Sequence, residues 1–378
     1  MNKKLIALAL AALPTAYAMA DVTIYGTIAA DVQNGKTYDG QGSDGKRSVT
    51  RVDDAGSSIG FKGTEDLGNG LKAIWQVEQG LNIDGTTGSV SANGYNGTLA
   101  TRDSFVGLDG NFGKIRVGRL STFQNSDTET YDAWTYGGND DKTVAGLTYM
   151  SGNQLDGRHN NAIRYDLPSV VNGLTGAVLY STDEARSTTV GSGEDAVTYK
   201  TNTQFWSIGA AYTNSGYFVN GGYNRFGDNY QDSNNAFHAG NYWRVEAGYQ
   251  ANNILAAAFY GRSKLGTGTD GTFSSFATGS DALAAASELQ KHEFGLTLGY
   301  TIGAFTPKFS YGRVAGVSSE GTDINGHLNQ YVVGVDYALS KRTTTFASYG
   351  YVQNSFDNAA GDKYSNEHSL AVGLKTTF

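Results

Sequence analysis

The sequence predicts an all-β chain, a transmembrane antiparallel β-barrel of about sixteen strands with short periplasmic turns and long extracellular loops. Three observations predict it. Polarity alternates at a period of two from residue 21 nearly to the end, short turns alternate with long polar loops, and no later run is long and apolar enough for a spanning helix.

The composition is compatible with that class. Among 378 residues there are 51 Gly and 24 Tyr against only 3 Pro, and the mean hydropathy is −0.37. A strand offers lipid only every second side chain, so a barrel crosses a bilayer at low hydropathy. An aromatic share of 12% argues against a disordered Gly-rich chain. Cysteine is absent, so no disulfide framework exists, and at this length a hydrogen-bonded barrel replaces one.

The chain opens with Lys3 and Lys4, an apolar run over 5–13, Pro14 and the small-residue pattern Ala18-Met19-Ala20. This predicts a secretory signal peptide over 1–20, cut before Asp21, and a single barrel domain over 21–378. The apolar run reaches only about half of the roughly 20 residues a spanning helix needs. The formal net charge is −8, about −10 without the leader, which argues against a nucleic-acid partner.

The strands follow from the alternation. Val22, Ile24, Gly26 and Ile28 share one face, with Thr23, Tyr25 and Thr27 on the other. The pattern returns at Leu71-Ala73-Trp75-Val77, Leu174-Gly176-Val178-Tyr180, Trp206-Ile208-Ala210-Tyr212 and Val245-Ala247-Tyr249. It returns again at Phe294-Leu296-Leu298-Tyr300, Tyr331-Val333-Val335-Tyr337 and Leu370-Val372-Leu374. The only helical signal is one turn over 281–287.

Tight turns are expected over 66–70, 109–111, 213–216, 250–253 and 339–341, from their Gly, Asn, Asp and Ser content. Long loops are expected over 34–56, 80–100, 120–158, 183–203, 227–240, 264–288, 316–328 and 353–366. Eight long loops with a hairpin between successive ones give about sixteen strands. Tyr212, Tyr249, Tyr300 and Tyr337 each precede a short turn, as a girdle at the membrane boundary would require. The last strand runs to Phe378 with nothing after it to cover an edge, which favours closure over a soluble sandwich or propeller.

The residues resemble the general diffusion porins of Gram-negative bacteria, in the branch found in neisserial and burkholderial species. The resemblance is carried by Asp21-Val22-Thr23-Ile24-Tyr25-Gly26, the run from Ile59 to Gly70, and Ser104-Phe105-Val106-Gly107-Leu108. It continues in Asn111-Phe112-Gly113 leading to Gly118-Arg119, and in the run from Asp336 to Thr343 leading to Tyr349-Gly350-Tyr351. It implies a homotrimer in the bacterial outer membrane, in contact with lipid and lipopolysaccharide, that passes ions and small hydrophilic solutes passively. It also implies that Phe378 belongs to the signal read by the barrel-assembly machinery, and that the third long loop folds inward. The chain ends Lys375-Thr376-Thr377-Phe378, without the basic residues or His that usually stand just before the last Phe of this branch.

Parity puts Lys62, Lys72, Arg116 and Arg164 on the lumen side, while Arg102 and Arg119 join them by the resemblance. Facing this basic wall across a narrow aqueous gap, an inward third loop would bring Asp127, Glu129 and Asp132, with Asp140 and Asp141 further along. A transverse field of this kind orients dipolar solutes and disfavours large apolar ones. The same loop carries Phe123, Tyr131, Trp134 and Tyr136, which serve either as anchors on the wall or as a stacking track in a sugar-specific channel. A barrel adhesin working through its long loops is a further alternative.

No enzymatic, metal or cofactor site is expected. His159, His238, His292, His327 and His368 are scattered with no metal-ligand spacing. No Gly-x-Ser-x-Gly signature is present, and the sequon Asn96-Gly97-Thr98 is read as chance.

Overall fold

The computed structural model describes residues 21–36, 48–85, 99–128, 132–134, 144–147, 157–184, 186–190, 197–232, 236–266, 288–356 and 366–378. Its strands in the first half are β1 (Asp21–Lys36), β2 (Ser48–Asp54), β3 (Ser58–Gly68), β4 (Leu71–Gly80), β5 (Ser104–Gly110), β6 (Gly113–Ser121), β7 (Arg158–Asp166), β8 (Leu174–Ser181), β9 (Ser187–Val190) and β10 (Val197–Lys200). There follow β11 (Phe205–Asn214), β12 (Tyr217–Gln231), β13 (Phe237–Ala251), β14 (Ile254–Gly266), β15 (Glu288–Tyr300), β16 (Phe305–Ser319), β17 (Thr322–Asp323), β18 (Leu328–Ala338), β19 (Thr343–Asn354) and β20 (Glu367–Thr377).

All pairings are antiparallel between neighbours, and the sheet closes on itself into sixteen staves. β2 and β3 form one stave, broken at residues 55–57, where the Ser57 hydroxyl takes the place of the ladder: it accepts from Ala29 N–H at 3.0 Å and donates to Ala29 C=O at 3.1 Å. β17 is a two-residue flap on β16, and β9 with β10 forms a separate ribbon in a long loop. The first and last staves meet from Thr27↔Thr377 to Lys36↔His368. Phe378 continues the seam, exchanging both backbone hydrogen bonds with Gly26 at 3.1 Å. Closure leaves no sheet edge, which is the condition for a β-structure in lipid.

The alternation read from the sequence sorts the two faces. Val22, Ile24, Val77, Val106, Ile208, Val245, Leu296 and Val333 look outward and are exposed, while Asp31, Gln33, Asn220, Glu246, Thr297 and Ser348 look inward and are buried. The outer face carries two aromatic rows on the β8–β19 side. One lies beside the short turns, with Tyr217 against Tyr249 and Phe305 against Tyr337 at ring separations of 4.7 and 4.6 Å. The other lies toward the long loops, with Tyr180–Trp206, Trp243–Tyr260–Phe294 and Tyr311–Tyr331 in contact. Such rings sit where lipid meets water.

Two loop boundaries differ from expectation. Ser48–Asp54 is a strand inside the expected loop 34–56, and the hairpin β12–β13 continues to Gln231 and restarts at Phe237 inside the expected loop 227–240. Both segments are largely polar, and backbone pairing with side-chain bonds such as Arg51 to Gln33 at 2.9 Å and Tyr230 to Glu288 at 2.8 Å extends them past the apolar band. The helical turn expected over 281–287 lies outside the described residues. One short helix does occur, α1 (Phe123–Asp127), capped by the Thr122 hydroxyl, which accepts from Asn125 N–H at 3.3 Å.

Candidate functional site

The described parts of the segment joining β6 to β7, 122–128, 132–134 and 144–147, lie in the lumen against the inner wall. At its start, α1 lays Phe123 on Gly209 of β11 and Gln124 on Gly222 of β12. A Cβ on Gly209 would sit 2.7 Å from the Phe123 ring, so only glycine leaves the loop room there. Further on, Trp134 Nε1–H donates to Ser310 Oγ of β16 at 2.8 Å and its ring covers Gly334 of β18. Lys308 donates to Ala133 C=O at 2.7 Å and holds its ammonium 4.7 Å from the Trp134 ring. The return stretch is tied by Ser369 Oγ, which accepts from Val144 N–H at 2.9 Å, and by Gln330, whose amide donates to the carbonyls of Val144 at 3.3 Å and Gly146 at 2.5 Å.

These contacts create an apolar core on an inner face that also carries smaller apolar clusters, around Leu120, Leu179 and Phe205 and around Tyr242 and Leu265, among many polar residues. Trp134, Val144 and Leu147 pack with Ala257, Phe259, Val332, Phe346 and Val352. Burial of that surface is the driving force that seats the loop. It also decides between the two readings of the loop aromatics for the residues described. Phe123 and Trp134 are each 3% exposed, so they are wall anchors and present no stacking face to a solute. Tyr131 and Tyr136 lie outside the described residues.

The acidic residues are placed as follows. Asp127 ends α1 and its carboxylate accepts from Arg164 at 2.6 Å. Asp132 accepts from Trp134 N–H at 3.0 Å, close to Lys308 and Arg244. Burial among protein atoms pushes its carboxyl up to about 6, against the opposing pull of the Trp134 N–H and the two cations. Glu129, Asp140 and Asp141 lie outside the described residues.

The basic residues form two groups. Lys62 is exposed, with its ammonium 5.0 Å from the Tyr25 ring, and Lys72 is exposed near the short turn of β3–β4. The others are engaged. Arg102 is bonded to Glu78, which also accepts from the Tyr25 hydroxyl at 2.8 Å. Arg116 grips Asp166 through Nη2, at 2.9 Å to Oδ1 and 2.7 Å to Oδ2, and through Nε, at 3.1 Å to Oδ2. Arg119 donates to Thr101 C=O at 2.9 Å and to Asn160 Oδ1 at 2.5 Å, at a bulge in the β6–β7 pairing.

Arg164 departs most from the expected picture. It is 1% exposed and donates to Ser121 C=O, Ser126 Oγ, Asp127 and Asp166. Asp127 and Arg164 therefore touch, where the sequence reading placed them on opposite sides of a water gap. Parity gives the direction of a side chain but not its reach, and α1 brings Asp127 back over the strand that carries Arg164.

Sequence reasoning missed Ser310, Gln330, Ser369 and Lys308, the residues that hold the loop. Their only signal is indirect: inward positions on the same wall, Gly209 and Gly334 among them, are too small to fill space, so something else must fill it.

Residues 6–357 match the family model for Gram-negative porin. The chain is 35% identical to a major outer membrane protein P.IB of Neisseria meningitidis serogroup B and 33% identical to that of Neisseria sicca, with all of each chain covered. Among solved structures it is similar to an anion-selective porin from Comamonas acidovorans, with a TM-score of 0.69 at 20% identity over 95% of this chain and 100% of that one. It is also similar to the trimer form of OmpT from Vibrio cholerae, with a TM-score of 0.61 at 14% identity over 95% and 99% of the two chains.

Proposed function

Because the chain belongs to the Gram-negative porin family and is a passive diffusion channel of the outer membrane, we propose that its solutes pass between the seated loop and the wall of β3–β7. The observation that carries this reading is the anchoring of the loop on the opposite wall, through Trp134–Ser310 and the Gln330 and Ser369 contacts. The passage is then bounded by Asp127 and Asp132 on the loop side and by Lys62, Lys72, Arg102, Arg116 and Arg119 on the wall, with Arg164 buried beneath α1. Most of these arginines already hold a carboxylate, so Lys62 and Asp132 contribute most to the local field. No chemistry is performed on the solute.

The working unit is a homotrimer. Supporting this, the exposed outward residues of β1–β7 are mostly aliphatic, with Val22, Ile24, Val106, Val117 and Ile163 beside Phe61, whereas the two aromatic rows run from β8 to β19. An aromatic-poor apolar face suits contact with another protomer, and the aromatic face suits lipid. Residues 1–20 are removed on export, Phe378 is read by the barrel-assembly machinery, and the lipid face meets lipopolysaccharide.

Reconstitution into planar bilayers tests the reading. Wild-type protein is expected to open in steps of three with no saturable block by sugars. Silent bilayers, or block by a single sugar at low concentration, would overturn it.

A further inference from the structure

One phenol on the inner wall touches two opposite charges. Tyr25 of β1 faces the lumen in line with Gly60 of β3 and Glu78 of β4, because Tyr25 pairs with Gly60 and Gly60 with Glu78. Its ring lies across the glycine, where any Cβ would collide with it, so only glycine leaves the phenol this path. On the far side the Tyr25 hydroxyl donates to Glu78 Oε2 at 2.8 Å. Arg102 bonds Oε1 of the same carboxylate. The Lys62 ammonium stands over the ring itself, 5.0 Å from its centroid, where the negative face of a π-system attracts a cation.

Lys62 and Glu78 do not form an ion pair, although the register would let them. Lys62 pairs with Gln76, which makes Glu78 its diagonal neighbour on the same face of β3–β4. Such neighbours lie about 7–8 Å apart, within reach of long side chains. Yet Lys62 is exposed to the lumen and meets no carboxylate among the described residues. The reason lies in the carboxylate, whose two oxygens are already taken by the Tyr25 hydroxyl and the Arg102 guanidinium. An exposed ion pair gains little, so a hydrogen bond from a ring already fixed over Gly60 is enough to hold Glu78 away. Without that bond nothing opposes the attraction across the diagonal.

We propose that the Tyr25 hydroxyl is a positioning group for ion selectivity: by holding Glu78 toward Arg102, it leaves the Lys62 ammonium unneutralised in the passage. This role rests on the reading of the passage as running along β3–β7. Lys62 acts on a passing ion directly, and Tyr25 acts only through Glu78. Loss of the hydroxyl changes no formal charge. It changes where one negative charge sits, and an anion a few Å from Lys62 then meets an ion pair in place of a lone cation.

The test is the reversal potential in a KCl gradient across planar bilayers for Tyr25→Phe, which keeps the ring over Gly60. It is compared with Lys62→Gln, Glu78→Gln and the doubles Y25F/E78Q and Y25F/K62Q. Lys62→Gln should lower the anion-over-cation permeability ratio by up to about fivefold, the effect of one unit charge a few Å away in water. Tyr25→Phe should lower it roughly twofold, since Lys62 is paired and not removed, with the thermal dissociation of the trimer unchanged. The same substitution should add nothing in Glu78→Gln, where no carboxylate is left to move, and nothing in Lys62→Gln, where no ammonium is left to neutralise. A purely structural role would give the same shift in every background. Wild-type selectivity in Tyr25→Phe, or an undiminished shift in Y25F/E78Q, would overturn the role of Tyr25 and leave the passage standing. Unchanged selectivity in Lys62→Gln would overturn the passage along β3–β7 and this role with it.

Discussion

Trp134 and Ser310 lie 176 positions apart in the chain and are joined by a 2.8 Å hydrogen bond from the indole N–H to the hydroxyl. That bond ties the loop of one hairpin to a strand on the far side of the lumen, and the proposed passage runs on the side it leaves open.

Trp134→Ala is expected to free the loop tip. Deleting a buried Trp costs about 3–5 kcal/mol of packing, but no stave pairing depends on this ring, so the barrel should remain closed. Single-channel records should show larger and noisier conductance with trimers that dissociate at nearly the wild-type temperature. Wild-type conductance and noise would show that the ring does not hold the loop.

Asp132 predicts a pH step. Its carboxyl titrates at about 6, so it is charged above that pH and neutral below. Lowering the pH from 7 to 5 removes a negative charge from the passage and should raise anion over cation permeability. In Asp132→Asn the step should flatten, and because Asn keeps the acceptor for Trp134 N–H, the loop should stay seated. A step of equal size in the variant would assign it to another group.

Arg164 predicts an effect on the base of the loop. Gln at this position cannot reach Ser121 C=O, Ser126 and Asp127 together, and each group left unsatisfied costs about 1–3 kcal/mol. Arg164→Gln should therefore speed proteolytic cleavage between 122 and 157 while leaving the trimer intact. The cost is reduced by the exposure of Asp127, which water can solvate. Cleavage at the wild-type rate would contradict the anchoring role.

Deleting Phe378 should impair outer-membrane assembly far more than deleting one residue from 267–287. The terminal residue completes the seam with Gly26, whereas a Gly-, Ser- and Thr-rich loop tolerates change. Surface levels by whole-cell labelling decide it, and equal levels would refute it.

Most of the barrel was legible because a stave in lipid must alternate: Leu71-Ala73-Trp75-Val77 can be read only one way. Stave ends above the membrane were not, since Ser48–Asp54 and the top of β12 are rich in polar residues, lack clean alternation and resemble loop. Helix α1 left a signal in Thr122, a good N-cap, but five residues are too few for periodicity. The residues that hold the loop were invisible for a different reason. Ser310, Gln330 and Ser369 are polar residues at inward positions, and polar residues are common there, so their type singles out none of them.

The most direct measurement is the reversal potential in a salt gradient for a triple variant, D127N/E129Q/D132N, against a control set on the exposed rim, E184Q/E320Q/D323N. Charges within a few Å of a passing ion act strongly, while rim charges are screened beyond about 8 Å. The loop variant should move markedly toward anion selectivity as Lys62 and the wall come to dominate, and the rim variant should stay near wild type. Equal movement in both sets, or movement in neither, would contradict a passage bounded by the seated loop.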